Sequence, residues 1–253
     1  MKLGAQLYSV RNLVQTPADI RATLARLADM GYENVQLSGA GPIDPNELKS
    51  IVDDTGMKIV CTHVAYKDIV NDTGRVIRDH KIFGCPVIGL GSMPLEYHGS
   101  AAGMEQFFED IAPAVKKIQD AGLAFAYHNH DFEFQPLPDS DQIVFDVMLE
   151  RFPDWNFILD TYWVEFAGRS AIEYIKKVGG SRLPNIHFKD MANDEKRSIC
   201  PCGEGTLDFK AIFEVCREIG VENVLVEQDN AAKKPDPLGE MQKSFSHLRP
   251  IIK

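Results

Sequence analysis

The stretch Leu123-Ala124-Phe125-Ala126-Tyr127-His128-Asn129-His130-Asp131-Phe132-Glu133 sets the terms for the whole chain. An apolar run of strand length, Leu123–His128, passes straight into His130, Asp131 and Glu133. Charged and imidazole groups at the end of an apolar strand are costly to bury unless they are paired or hold a metal. The same pattern recurs. Leu159-Asp160-Thr161-Tyr162-Trp163 ends a second run, Ile186-His187-Phe188-Lys189-Asp190 a third and Val226-Glu227-Gln228-Asp229 a fourth, while Thr62-His63 ends an earlier one.

Working outward, the chain alternates short apolar or β-branched runs with longer stretches of helical spacing. The runs lie near Leu3–Tyr8, Tyr32–Leu37, Met57–His63, Val87–Leu90, Leu123–His128, Asn156–Asp160, Asn185–Phe188 and Asn223–Glu227. Helix starts are marked by Thr16-Pro17-Ala18-Asp19 and Asp44-Pro45-Asn46-Glu47, each a capping residue followed by proline and an acid. Ile20, Leu24 and Leu27 then repeat at helical spacing until Gly31 stops them. Later helices are predicted from Phe107-Ile111-Val115-Ile118, Ile143-Val147-Phe152, Ile172-Ile175-Val178, Phe209-Phe213-Cys216-Ile219 and Leu238-Met241-Phe245-Leu248, with a weaker one around Val76 to Phe83. Pro113 falls inside one pattern and predicts a kink there or a later helix start.

Eight βα units in 253 residues predict a single (β/α)8 TIM barrel over 1–253. The competing architecture is a doubly wound open sheet. No Gly-x-Gly-x-x-Gly follows the first strand, which weighs against a dinucleotide-binding sheet, and Gly89-Leu90-Gly91 is too short to serve.

Composition narrows the function classes. A net charge of −10 argues against nucleic acid, which is bound chiefly through Lys and Arg on phosphates. The five cysteines, Cys61, Cys85, Cys200, Cys202 and Cys216, are odd in number and irregular in spacing, as expected of a reduced, cytoplasmic chain. Cys200-Pro-Cys202 lacks the two-residue spacer of zinc and thioredoxin motifs. Met1-Lys2 is followed by no apolar core of signal-peptide length, and no apolar run approaches the roughly 18 residues of a membrane span.

Barrel active sites are built at the C-terminal ends of strands. Four of seven histidines, His63, His128, His130 and His187, fall at such ends. A lone strand-end Asp is most often a helix cap, and Asp190 and Asp229 are open to that reading. Acids and imidazoles on four consecutive strand ends point instead to one divalent metal ion, with Mn, Mg, Zn and Co all compatible.

At these residues the chain resembles the xylose isomerase-like superfamily of TIM barrels, the sugar phosphate isomerases/epimerases. The similarity runs over essentially the full length. It includes Gln6-Leu7-Tyr8-Ser9-Val10-Arg11, Tyr127–Phe134, Leu159-Asp160-Thr161, His187-Phe188-Lys189-Asp190, Gly203-Glu204-Gly205 and Val226-Glu227-Gln228-Asp229. In the ketose 3-epimerases of that superfamily a Glu, an Asp, a His and a Glu from strands five to eight hold the metal. The resemblance implies Asp160, His187 and Glu227 for the last three. Where those epimerases carry the strand-five Glu this chain has His128, and Glu133 is favoured over His128 as the fourth ligand.

The resemblance implies a metal-dependent sugar isomerase or epimerase that abstracts a proton next to a carbonyl through an enediolate. Glu227, His128 and Glu133 are the expected catalytic groups. His130, His63, Lys189 and Trp163 are the expected contacts to a small carbohydrate or polyol-derived substrate, and Arg11 and Glu204 are expected to be structural. Trp163 stands where a substrate-binding His is common. The His128-Asn129-His130 arrangement keeps a lyase, resembling inosose dehydratase or enzymes acting on 3-keto-glycosides, as the alternative, and a non-catalytic sugar-binding barrel as a remote one. An apurinic endonuclease on the same barrel needs a metal cluster and a basic face that this chain lacks. Members of the superfamily are often dimers or tetramers, so a homo-oligomer fits the resemblance.

Overall fold

A computed structural model describes residues 1–252, so the last residue of the expected 1–253 unit lies outside it. Eight parallel strands carry the fold: β1 (Lys2–Gln6), β2 (Asn34–Leu37), β3 (Lys58–Thr62), β4 (Val87–Leu90), β5 (Ala124–His128), β6 (Asn156–Asp160), β7 (Asn185–Phe188) and β8 (Asn223–Val226). Strands adjacent in sequence are adjacent in space, and β8 returns to pair with β1, Lys2 opposite Asn223. β3 and β4 meet at a parallel bridge between Val64 and Leu90, where the Val64 N–H donates to Gly89 O over 2.8 Å. That seam requires Gly89, because a Cβ there would lie 2.1 Å from the Thr62 carbonyl oxygen. The result is the TIM barrel that the alternation predicts.

The helix-start chemistry works as expected. Thr16 and Asp19 form a reciprocal capping box ahead of Pro17–Met30, and the Asp44 carboxylate accepts the N–H groups of Asn46 and Glu47. The helix expected around Phe107 begins at Ala101, capped by Ser100, and runs to Asp120, so Pro113 neither starts nor ends it. β1 stops earlier than expected. Gln6 turns its side chain back to accept the Tyr8 N–H, and Leu7–Leu13 coils into a 3-10 segment.

Alternation along each strand sorts the side chains into two groups. Phe125 and Tyr127, Phe157 and Leu159, Ile186 and Phe188, and Val224 and Val226 join the large core between the strands and the surrounding helices. Ala126 and Ile158 pack with Cys61 and Val87 in a separate small cluster inside the barrel. Successive strand residues face opposite ways. Two residues beyond Ala126 and Ile158 come His128 and Asp160, which therefore point into the barrel mouth. Phe188 and Val226 face outward, so their immediate neighbours His187, Lys189 and Glu227 face inward.

Candidate metal centre

His128, Asp160, His187 and Glu227 are all buried, and one ligand atom from each lies within 4.8 Å of the other three. His128 and Asp160 end β5 and β6, His187 is the next-to-last residue of β7, and Glu227 follows β8. The Asp160 carboxylate is divided between two tasks. Oδ1 accepts the N–H groups of Tyr162 and Trp163 at 2.9 and 3.2 Å, capping the short helix Thr161–Phe166, while Oδ2 faces the cluster.

Each cluster imidazole spends one ring nitrogen on a protein acceptor. His128 Nδ1–H donates to Gly91 O at 2.9 Å, which leaves Nε2 as the lone-pair nitrogen, 3.4 Å from Asp160 Oδ2. Gln36 Nε2 donates to Thr62 O at 3.3 Å, so Gln36 Oε1 faces His187 and accepts its Nε2–H at 2.5 Å. His187 Nδ1 lies 2.9 Å from Glu227 Oε2, and neither atom has an aligned hydrogen-bond partner. Burial lowers the His187 pKa, but the Glu227 and Asp160 carboxylates outweigh it and raise it, so this nitrogen attracts a cation, and in the neutral ring it presents a lone pair. These tautomers are assigned from the hydrogen-bond pattern. Basic nitrogens aimed at carboxylate oxygens in a dry site repel unless a proton or a metal ion lies between them, and outer partners that fix ligand tautomers are the usual support of a metal site.

Lys189 completes the charge pattern. Its ammonium lies 2.9 Å from Asp160 Oδ2, 2.9 Å from Glu227 Oε2 and 3.0 Å from Asp229 Oδ2, and its side chain is 1% exposed. Three carboxylates against one ammonium leave an excess of two negative charges, which is the charge one divalent cation cancels. The donor chemistry and the charge therefore fit such an ion. Burial alone would raise the Asp160 and Glu227 pKa values. The Lys189 ammonium and the neighbouring histidines outweigh it and hold both groups well below the ordinary carboxylate range. Burial opposes the Lys189 charge too, and Asp160, Asp229 and Glu227 overcome it.

Glu133 is not brought to this cluster. It is fully buried, with Oε1 accepting the Tyr127 hydroxyl at 2.6 Å and Oε2 accepting the His130 N–H at 2.8 Å. Tyr127 faces the outer core, so Glu133 is drawn to that side of β5 rather than inward. Burial pushes its carboxyl up to about 8 despite both hydrogen bonds.

The expected substrate contacts do gather at the mouth. The His63 ring lies 4.9 Å from that of His128, His130 lies 5.0 Å from His128 and 5.2 Å from Trp163, and Lys189 Nζ stands 5.3 Å over the Trp163 ring. His63 Nε2, His130 Nδ1 and Trp163 Nε1 are buried without a protein partner. Burial lowers the pKa of His63 and takes His130 down to about 3, so both imidazoles are neutral near pH 7.

Asp190 and Asp229 are not helix caps. Asp190 points outward and accepts four backbone N–H groups, from Met191 and Leu207 on Oδ1 and from Gly203 and Gly205 on Oδ2, at 2.8 to 3.1 Å. It thereby anchors residues 191–207, which form a short hairpin through Asp190–Met191 and Ile199–Cys200. Arg11 donates to Tyr8 O and Asp229 O, a structural role, and Glu204 is an exposed side chain 3.8 Å from Lys243. Sequence reasoning missed Gln36. Its signal was an amide next to the end of the run Tyr32–Leu37, two residues after Asn34.

The chain belongs to the family described as xylose isomerase-like TIM barrel, whose family model matches residues 24–251. Inosose dehydratase of Clostridium botulinum (strain Alaska E43 / Type E3) is 21% identical over 256 residues, covering 84% of this chain and 83% of that protein. The solved sugar phosphate isomerase/epimerase of Parabacteroides distasonis ATCC 8503 superposes with a TM-score of 0.83 at 22% identity, over 100% of both chains. A structure of IOLI protein with a binding zinc atom superposes with a TM-score of 0.71 at 14% identity, over 100% of this chain and 98% of that one. Two of these are enzymes by name and the third holds a metal. No described helix is long and apolar enough to cross a membrane.

Proposed function

We propose that this chain is a divalent-metal-dependent enzyme that takes a proton from the carbon beside the carbonyl of a sugar- or polyol-derived ketone. The supporting observation is the cluster of His128, Asp160, His187 and Glu227, with two tautomer-fixed lone-pair nitrogens facing two carboxylates inside 4.8 Å. These four residues would hold the ion, with His128 in the position expected of Glu133. When bound, the ion supplies Lewis-acid polarisation of the carbonyl and charge stabilisation of the enediolate. Glu227 would take the proton. His63, His130 and Trp163 offer unpartnered polar atoms to substrate hydroxyls, and the Trp163 face receives the apolar side of a ring.

For the fate of the enediolate, the residues favour elimination. Epimerisation needs a proton-carrying group on each face of the carbon, and the resemblance implies a pair of glutamates for it. Here the cluster has a single glutamate, because Glu133 is committed to Tyr127 and the His130 N–H. Glu227 as base would pass the proton it takes to the departing hydroxyl, with an imidazole N–H hydrogen-bonded to that oxygen, and this suits loss of water. Loss of water is also the reaction in the name of the Clostridium botulinum relative. Isomerase or epimerase chemistry is the second outcome, supported by the likeness to the Parabacteroides distasonis protein.

Incubating Mn²⁺-loaded protein with inososes and keto-sugars in D₂O tests both. A product lighter by one water supports elimination, whereas an isomer carrying deuterium supports isomerisation or epimerisation. Glu227→Gln is expected to lower turnover by about 10²-fold or more. Unchanged turnover and unchanged Mn²⁺ binding in that variant would overturn the assignment.

A further inference from the structure

Lys189 contacts the same two oxygens that would bind the metal. Its Nζ lies 2.9 Å from Asp160 Oδ2 and 2.9 Å from Glu227 Oε2, and these are the oxygens nearest His128 Nε2 and His187 Nδ1. Its backbone is clamped, since Thr161 Oγ1 accepts the Lys189 N–H at 3.1 Å and shares its own proton between His187 O and Lys189 O, each at 3.1 Å. The Cα therefore stays in place, and only the side chain can adjust. Apart from the two cluster carboxylates, the one acid it touches among the described residues is Asp229, at 3.0 Å and 29% exposed.

We propose that Lys189 is a resident counter-cation that competes with the divalent metal for Asp160 and Glu227, so that this lysine sets the metal affinity of the site. The proposal rests on the cluster being a metal centre. With the ion absent, the ammonium neutralises part of the charge of three convergent carboxylates and keeps the barrel mouth assembled. Metal entry moves it off the shared oxygens toward Asp229. Like charges a few ångströms apart at protein-like screening repel strongly enough to weaken metal binding by about tenfold or more.

The test is Mn²⁺ titration of the full-length, chelator-stripped protein, with free Mn²⁺ counted by electron paramagnetic resonance and thermal melts run alongside. Lys189→Met, similar in length but uncharged, is expected to bind Mn²⁺ at least about tenfold tighter than wild type. Its metal-free form melts lower and gains more on adding Mn²⁺. Lys189→Gln serves as a second uncharged variant, and Lys189→Arg, which keeps the charge, is expected to bind no tighter than wild type. Wild type that binds Mn²⁺ alongside uncharged variants that bind it equally or less tightly overturns this proposal alone. Failure of wild type and the uncharged variants alike to bind Mn²⁺ overturns the metal reading and this proposal together.

Discussion

Glu133→Gln isolates a carboxyl that the fold keeps protonated. Glu133 has no exposed surface, and burial pushes it from an ordinary 4.5 up to about 8. The folded chain therefore holds a proton that the unfolded chain releases. Stability from this group is fully present below pH 4.5 and is lost as pH rises toward about 8. At about 1.4 kcal/mol per decade, the span corresponds to roughly 5 kcal/mol, an order-of-magnitude figure. The variant cannot ionise, so it lacks this loss. It carries a separate, pH-independent cost of about 1–3 kcal/mol, because the amide turns an NH2, which cannot accept, toward the Tyr127 hydroxyl or the His130 N–H, where the protonated carboxyl offers an oxygen. The assay is chemical denaturation of both proteins at half-unit intervals from pH 5 to 8.5. Their difference cancels other titrating groups, including His63, His80 and His130, whose lowered pKa values push stability the opposite way. Wild type should be ahead at pH 5 and fall back steadily against the variant as pH rises. A difference that stays flat across this range would refute a proton held on Glu133.

Gln36→Leu removes the acceptor that fixes the His187 tautomer, and Mn²⁺ affinity is expected to fall about 10–100-fold, read by the same titration. Asp190→Asn turns donors toward backbone N–H groups that the carboxylate now accepts. Stability should drop by about 2–4 kcal/mol in urea, with faster proteolytic cleavage between residues 192 and 206.

Much of this was legible in the sequence because burial and alternation are local properties. Eight apolar runs separated by capped helical stretches identify the barrel, and alternation along β6 and β7 turns Asp160 and His187 inward. Glu133 was harder to place because it lies past the end of β5, where alternation no longer governs direction. What fixed it was the hydroxyl of the outward-facing Tyr127, a contact no spacing rule reports. Lys189 keeps the inward sense of His187, but its three carboxylate partners come from β6 and the segment after β8, and their distances appear only in three dimensions. Gln36 acts on a histidine 151 positions away.

The suspension of residues 191–207 from one outward carboxylate bears on how such a protein can diversify. The tip, Asn193 to Lys196, is exposed, while the returning strand is tied down by Asn230 donating to Ile199 O and by the Tyr162 hydroxyl donating to Arg197 O. Insertions or replacements at the tip need not disturb Asp190 or the glycines that meet it. A lineage could thus rewrite what borders the mouth while inheriting the cluster beneath it unchanged, and substrate range could drift faster than the chemistry.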